Sequence, residues 1–250
     1  MFSFLVALQF LTTLPVPVWR QANDLEIARS LRYFPVTGVV IGGILALLYY
    51  LLSLWFPHQL VTLVMVIALI ALTGALHIDG FLDSCDGLMG SHTVERRLEI
   101  MRDSRVGSFA VAGGWSLLSL KYLALFLVPP QLMLHALLLA PMLGRWAMVN
   151  AVVLFPYGRD KGFGSPYRMA DSRQEWLLAT AAVMLLGGLV LQWVGLVIPL
   201  FIIILTFLIG RWVMTRLPAG LTGDNYGAIA EITEVATWLI IQASAGLIMA

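Results

Sequence analysis

The run "QLVTLVMVIALIALTGALHIDGFLDSCDG", residues 59–87, changes character partway along. Its first eighteen residues, Gln59 to Leu76, contain no charged side chain, whereas the next eleven contain Asp79, Asp83 and Asp86. A hydrocarbon core of about 30 Å takes roughly 20 helical residues to cross, so the first part is close to the length of a membrane span. An acid at the centre of such a helix costs about 2.5–3.5 kcal/mol on insertion scales. Three of them must therefore sit at the end of the span, line a wet cavity, or hold cations.

The rest of the chain fits that reading. Of 250 residues 60% are hydrophobic and only 12% charged, and the mean hydropathy is +0.90. Those values lie far outside the range of a soluble domain. They predict an all-α polytopic membrane protein of one domain, residues 1–250, with about seven transmembrane helices near 34–56, 59–76, 107–128, 132–155, 176–193, 196–212 and 235–250. The opening "MFSFLVALQFLTTLPVPV" is apolar too, but it lacks the basic start and small-residue cleavage site of a secretory signal. Pro15 and Pro17 shorten any helix there, which predicts an interfacial or re-entrant segment.

Charge placement gives an orientation. With seven spans, residues 20–33, 77–106, 156–175 and 215–234 fall on one side, and they hold all fourteen acids and twelve of the fifteen Lys and Arg. The positive-inside rule makes that side cytoplasmic, predicting a multi-pass membrane protein with its charged loops facing the cytoplasm. Near-neutral net charge, +1, and the lack of a long basic tract argue against nucleic acid as a partner. The single cysteine, Cys85, excludes an internal disulfide and reads as a small packed thiol. Gly38 with Gly42, and Gly107, Gly113 and Gly114, are candidate helix-contact positions. Lys121 lies near the outer end of its span and is expected to snorkel out; Arg145 is too deep for that and calls for an acidic partner or a polar substrate.

Positions 79, 83 and 86 are spaced i, i+4, i+7, which puts three carboxylates on one helix face. Oxygen-only ligands of this kind suit Mg²⁺ or Mn²⁺, held by a few carboxylates together with substrate phosphates. Gly90 is expected to end this helix, and Ser91 or Thr93 to cap a short surface helix leading to "RDSR", residues 102–105. Asp103 there is a fourth metal-ligand candidate, and Arg102 and Arg105 can meet phosphate oxygens in bidentate fashion. Carboxylates beside arginines, with a metal, are the equipment of phosphoryl transfer.

Two further segments could complete a site. "PYGRDKGFGSPYRMADSR" supplies Arg159, Lys161 and Arg168 with Tyr157, Phe163 and Tyr167, which suits a flat anionic ligand or a lipid surface equally. "LPAGLTGDNYGAIAEITE" is a glycine-rich turn feeding a helix, with Asp224 expected at its N-cap and Glu231 and Glu234 on one face as metal, base or pairing residues. His77 is expected to orient an aspartate or to accept a proton from an attacking hydroxyl. The expected catalytic residues are thus Asp83, Asp86 and His77; the metal ligands are Asp79, Asp83, Asp86 and Asp103; the substrate contacts are Arg102, Arg105, Arg145, Arg159, Arg168, Asp224 and Glu231.

Taken together, "ALQFLTTLPVPV", "FPVTGVVIG" at 34–42, "HIDGFLDSCDGL", "RDSRVGSFA", "LGRW" at 143–146 and "GLTGDNYGAIAE" at 220–231 resemble the cobalamin 5'-phosphate synthase family, also called adenosylcobinamide-GDP ribazoletransferase. The likeness runs over most of the chain, and the acidic positions show no departure from it. It implies a late step of cobalamin biosynthesis. The ribose 3'-hydroxyl of alpha-ribazole, or of its 5'-phosphate, would attack the cobinamide-side phosphorus of adenosylcobinamide-GDP, releasing GMP. It implies Mg²⁺ on the aspartates and the lipid bilayer as surroundings, and it leaves open a homo-oligomer and docking with other cobalamin-pathway enzymes.

Two other readings compete. A CDP-alcohol phosphotransferase-like lipid enzyme shares the reaction type, but that family's pattern calls for Ala-Arg after its DxxDG, where this chain has "LMG" and no arginine until Arg96. A cation or metabolite transporter would spread buried charges through several spans rather than gather its acids at one side.

Overall fold

The computed structural model describes residues 2–17, 19–159, 167 and 172–249. In chain order its α-helices are α1 (Phe2–Leu11), α2 (Asp24–Ser30), α3 (Phe34–Leu52), α4 (His58–Leu72), α5 (Leu76–Met89), α6 (Val94–Ile100), α7 (Ser108–Phe126), α8 (Met133–Leu154), α9 (Ser172–Met214), α10 (Gly223–Ala243) and α11 (Ala245–Ile248). The only β pairing among the described residues is an isolated bridge between Tyr157 and Leu221. This is the all-α architecture that apolar sequence requires in lipid, where each helix satisfies its own backbone polar groups.

Four helical stretches are long and apolar enough to cross a membrane: Asp24–Leu52, Ser108–Phe126, Pro130–Leu154 and Arg173–Met214. A fifth arises if α4 and α5 count as one bent span. The expected number of seven is not established by these lengths. One reason is α9, whose 43 residues would extend roughly 65 Å if straight. Instead the chain folds back on itself. Leu191 and Gln192 leave helical dihedrals, and Gly187 packs directly against Gly195, eight residues further on. The turn lies just ahead of the expected one at Val194–Gly195.

α4 and α5 are separated by a break that sequence reading placed inside a continuous span. Gly74 and Ala75 both take left-handed dihedrals, at φ 59° and φ 58°. Ala75 donates its N–H to the Ile70 carbonyl at 2.9 Å, closing α4, and α5 departs at 88° to it. The acids therefore sit on a helix turned almost perpendicular to the preceding one. α1 has ten residues, too few to cross, and it ends before the prolines. Its exit is pinned at the same break by a bond from the Thr13 N–H to the Leu72 carbonyl, 2.8 Å.

α8 is the axis of the bundle, buried on nearly every side from Leu139 to Ala151. α3 lies against it through the glycines singled out above: a Cβ on Gly42 would stand 2.7 Å from the Leu138 Cα. α7 meets α5 in the same way, since a Cβ on Gly113 would stand 2.6 Å from the Cys85 sulfur. Cys85 is thus the packed thiol expected. The charged segments meet at one end of the bundle, where Arg32 Nη2 reaches Glu175 Oε1 at 3.0 Å, Arg97 Nη1 reaches the Arg216 carbonyl at 2.9 Å, and Arg159 Nη2 reaches Asp224 Oδ2 at 2.8 Å.

Candidate functional site

Because α5 is helical throughout Leu76–Met89, Asp79, Asp83 and Asp86 project from one face. That face opens into a polar cavity of about 290 Å³, whose opposite wall is the loop before α7. Asp79, Asp83 and Asp86 line it from one side, and Arg102, Asp103 and Arg105 from the other. Six of the residues singled out from the sequence are thereby brought together. Gly90 ends α5 and Thr93 caps α6, accepting from the Arg96 N–H, so the connection is built as expected.

α10 approaches the same helix at Gly80, where a Cβ would stand 2.8 Å from the Asp224 carbonyl oxygen. Only glycine permits that contact. It carries Asp224 and its partner Arg159 close enough to act on Asp83, which also feels Asp79 and Asp86. Asp224 is not the N-cap of α10. Thr222 is: in a capping box, Asn225 Oδ1 accepts the Thr222 N–H at 2.9 Å and the Thr222 hydroxyl at 3.2 Å. Asp224 is freed by this capping box to pair with Arg159.

The four candidate metal ligands differ in how committed they are. Asp86 accepts the Gly107 N–H at 2.6 Å and the Ala110 N–H at 2.8 Å, so it caps the start of α7. Asp103 is held by Arg105, Nη2 to Oδ2 2.6 Å, and this pairing pulls its carboxyl down to about 2. Asp79 and Asp83 make no hydrogen bond or ion pair with any described residue. Among the described residues no three His, Cys, Asp or Glu side chains form a ready cage for a metal ion. Mg²⁺ does not require one, since it is commonly held by one or two carboxylates plus substrate phosphates. Two uncommitted carboxylates on a polar cavity fit that mode of binding.

Arg145, Glu231 and His77 are placed elsewhere. All three are buried inside the bundle, away from the cavity, in a set that also contains Lys121 and Glu234. Lys121 does not snorkel. Its ammonium is fully buried between Glu231 and Glu234, the latter at 2.6 Å. Arg145 pairs with the other oxygen of Glu234, which is the acidic partner its depth called for. His77 neither faces an aspartate nor reaches the cavity. Its Nδ1 lies 3.4 Å from Arg145 Nη2, and its Nε2 has no described partner. Two cations and two anions at the meeting of α7, α8 and α10 cancel one another's charge. Such a set holds together only while its charges balance, because each unpaired ion carries a desolvation cost of several kcal/mol. The cue was present in the sequence as two cations and two glutamates within apolar helices, equal in number.

Tyr157 and Tyr167 are packed rather than displayed: Tyr157 stacks on Tyr226 at 6.2 Å, and Tyr167 meets Phe34 edge-on at 6.0 Å. Lys161, Phe163 and Arg168 lie outside the described residues.

The chain is 40% identical to "Adenosylcobinamide-GDP ribazoletransferase" of Roseiflexus sp. (strain RS-1), over 96% of this chain and 88% of the relative. It is 38% identical to the protein of that name from Desulfitobacterium hafniense (strain Y51), over 92% of each. For the one from Desulforamulus reducens (strain ATCC BAA-1160 / DSM 100696 / MI-1) the identity is 37%, over 96% of this chain and 95% of the relative. No solved structure matches the chain. The sequence pattern described as "Cobalamin-5-phosphate synthase" matches residues 3–242, and the chain belongs to that family.

Proposed function

We propose that the chain is an adenosylcobinamide-GDP ribazoletransferase that works from the cavity on α5. The observation that carries this is that Asp79 and Asp83, without a bonded partner among the described residues, face Arg102 and Arg105 across one polar cavity, in a member of this family. About 290 Å³ suits a diphosphate and little more, so the corrin and the base lie outside it against the neighbouring loops.

The reaction is a displacement at phosphorus. The ribose 3'-hydroxyl oxygen of alpha-ribazole, or of its 5'-phosphate, bonds to the cobinamide-side phosphorus as the bond to the bridging oxygen breaks. GMP departs with that oxygen and its electron pair, and the hydroxyl proton is released. Arg102 and Arg105 hold diphosphate oxygens and set the line of attack. Asp83, on the cavity wall and within electrostatic reach of Asp79 and Asp224, receives the hydroxyl proton. Asp86 keeps α7 and its preceding loop in register with α5, and Asp103 aims Arg105. Asp79 and Asp83 would hold Mg²⁺, which supplies charge neutralisation of the diphosphate when bound.

The charged end of the bundle faces the cytoplasm of the bacterial inner membrane on this reading, where both substrates are soluble. A transport role is disfavoured by the buried charges themselves: Lys121, Arg145, Glu231 and Glu234 neutralise one another, so neither buried glutamate is free to serve a cation path. The test is synthesis of adenosylcobalamin or its 5'-phosphate, followed by mass spectrometry, from purified protein in liposomes given adenosylcobinamide-GDP with either form of alpha-ribazole. Product with Mg²⁺ and none with EDTA supports the assignment; no product from either acceptor removes it.

A further inference from the structure

On the far side of α5 from the acids lies a second cavity, of about 190 Å³ and almost wholly apolar. Phe81, Cys85 and Leu88 of α5, Trp212 of α9, and Ala228 of α10 are among its walls. At about 100° per residue, positions 81, 85 and 88 point away from 79, 83 and 86, so the groove cannot share a ligand with the acidic cavity through that helix. It opens beside Met89 and Trp212, which are 52% and 41% exposed, on the apolar flank of the bundle.

Two guanidinium groups stand beside its Trp212 wall, outside the lining itself. Arg216, one turn beyond Trp212, lies over the indole ring at 4.1 Å. Its Nη1 donates to Thr215 Oγ1 at 3.2 Å, and no described carboxylate pairs with it. Arg97 stands beside it, its Nη1 on the Arg216 carbonyl and its Nε on the Ser91 carbonyl at 3.0 Å, again with no described carboxylate. Two guanidinium groups with no described counter-ion, beside an apolar slot near a membrane boundary, match one chemistry: an amphiphile that joins an acyl chain to a phosphate headgroup.

We propose that this groove binds an anionic phospholipid, its acyl chain between α5, α9 and α10 and its phosphate on Arg216 and Arg97. The floor of the groove includes the bond from Asn225 Nδ2 to Ser84 Oγ, 3.0 Å, which joins the helices that carry Asp83 and Asp224. A bound lipid therefore braces the contact on which the acidic cavity is built, and the site is independent of what that cavity transfers.

Native mass spectrometry of the full chain released from detergent, titrated with phosphatidylglycerol or phosphatidylcholine of equal chain length, tests this directly. Wild type should retain one phosphatidylglycerol in preference to phosphatidylcholine. Arg216→Gln should weaken phosphatidylglycerol binding roughly fivefold, what one surface cation contributes to anionic-lipid attraction. Arg29→Gln, the same loss of charge at an exposed position of α2, should leave it unchanged. Ala228→Phe, which fills the groove, should abolish retention of both lipids; circular dichroism of that variant establishes that it remains folded. Equal retention of the two lipids by wild type, equal effects of Arg216→Gln and Arg29→Gln, or undiminished binding by a folded Ala228→Phe variant would each overturn the proposal.

Discussion

Lys121 Nζ and Glu234 Oε2 meet at 2.6 Å in the interior of the bundle, with neither side chain more than 1% exposed. The pair is one edge of a four-ion set, so its energetics belong to the set. Lys121→Met leaves two glutamates facing one arginine and should destabilise the protein by about 3–5 kcal/mol, as breaking a buried pair does. Lys121→Met combined with Glu231→Gln restores charge balance and leaves the Arg145–Glu234 pair. Thermal unfolding in detergent should therefore find the double variant more stable than Lys121→Met alone. Simple addition of the two losses would mean that the four ions do not act as a unit.

Asp83 and Asp86 share a helix face and should separate cleanly under mutation. Asp86 caps α7 through the Gly107 and Ala110 N–H groups, so Asp86→Ala should cost about 1–2 kcal/mol of stability, the size of a lost cap. Asp83 holds no described partner and sits among like charges. Asp83→Asn should leave the unfolding temperature unchanged or higher while lowering turnover at least ~100-fold, the scale of a lost acid-base group. Unfolding curves and rates measured on the same preparations check both. A marked fall in stability for Asp83→Asn would assign that residue a structural part instead.

Gly80 sets the distance between α5 and α10. Gly80→Ala would place a Cβ 2.8 Å from the Asp224 carbonyl oxygen and push the helices apart, at about 1–3 kcal/mol for overpacking. Gly223→Ala, at the start of α10 with nothing within 4 Å, is the matched control. Activity should fall sharply for the first and stay near wild type for the second. Comparable activity in both would show that the close approach is not needed.

Arg159→Gln leaves Asp224 without its partner beside Asp79 and Asp83. The added repulsion should draw cations in more tightly, so the Mg²⁺ concentration for half-maximal rate should fall even as kcat declines. A rise in that concentration would place Arg159 in another role.

Long apolar runs made the helices legible, since α7 and α8 begin and end within two residues of the boundaries expected. The acidic cavity was legible because charge is so scarce that Asp79, Asp83, Asp86, Arg102, Asp103 and Arg105 stand out. What escaped was set by contacts between distant residues. The bend before α5 rests on two left-handed residues, and only Gly74 announces it, while Ala75 gives no sign. Asp86, Asp224 and Lys121 were each assigned by their nearest neighbours in sequence, yet their partners lie at Gly107, Arg159 and Glu231. A helix face can be read from spacing; which face of another helix it will meet cannot.

The most direct test of the central claim is GMP release from adenosylcobinamide-GDP by proteoliposomes of wild type and Asp83→Asn, each with alpha-ribazole 5'-phosphate and Mg²⁺. GMP that depends on the acceptor, appears with wild type and is lost in a folded Asp83→Asn variant is the predicted result. Equal GMP release by both proteins would contradict the account, because the chemistry would then lie outside the cavity on α5.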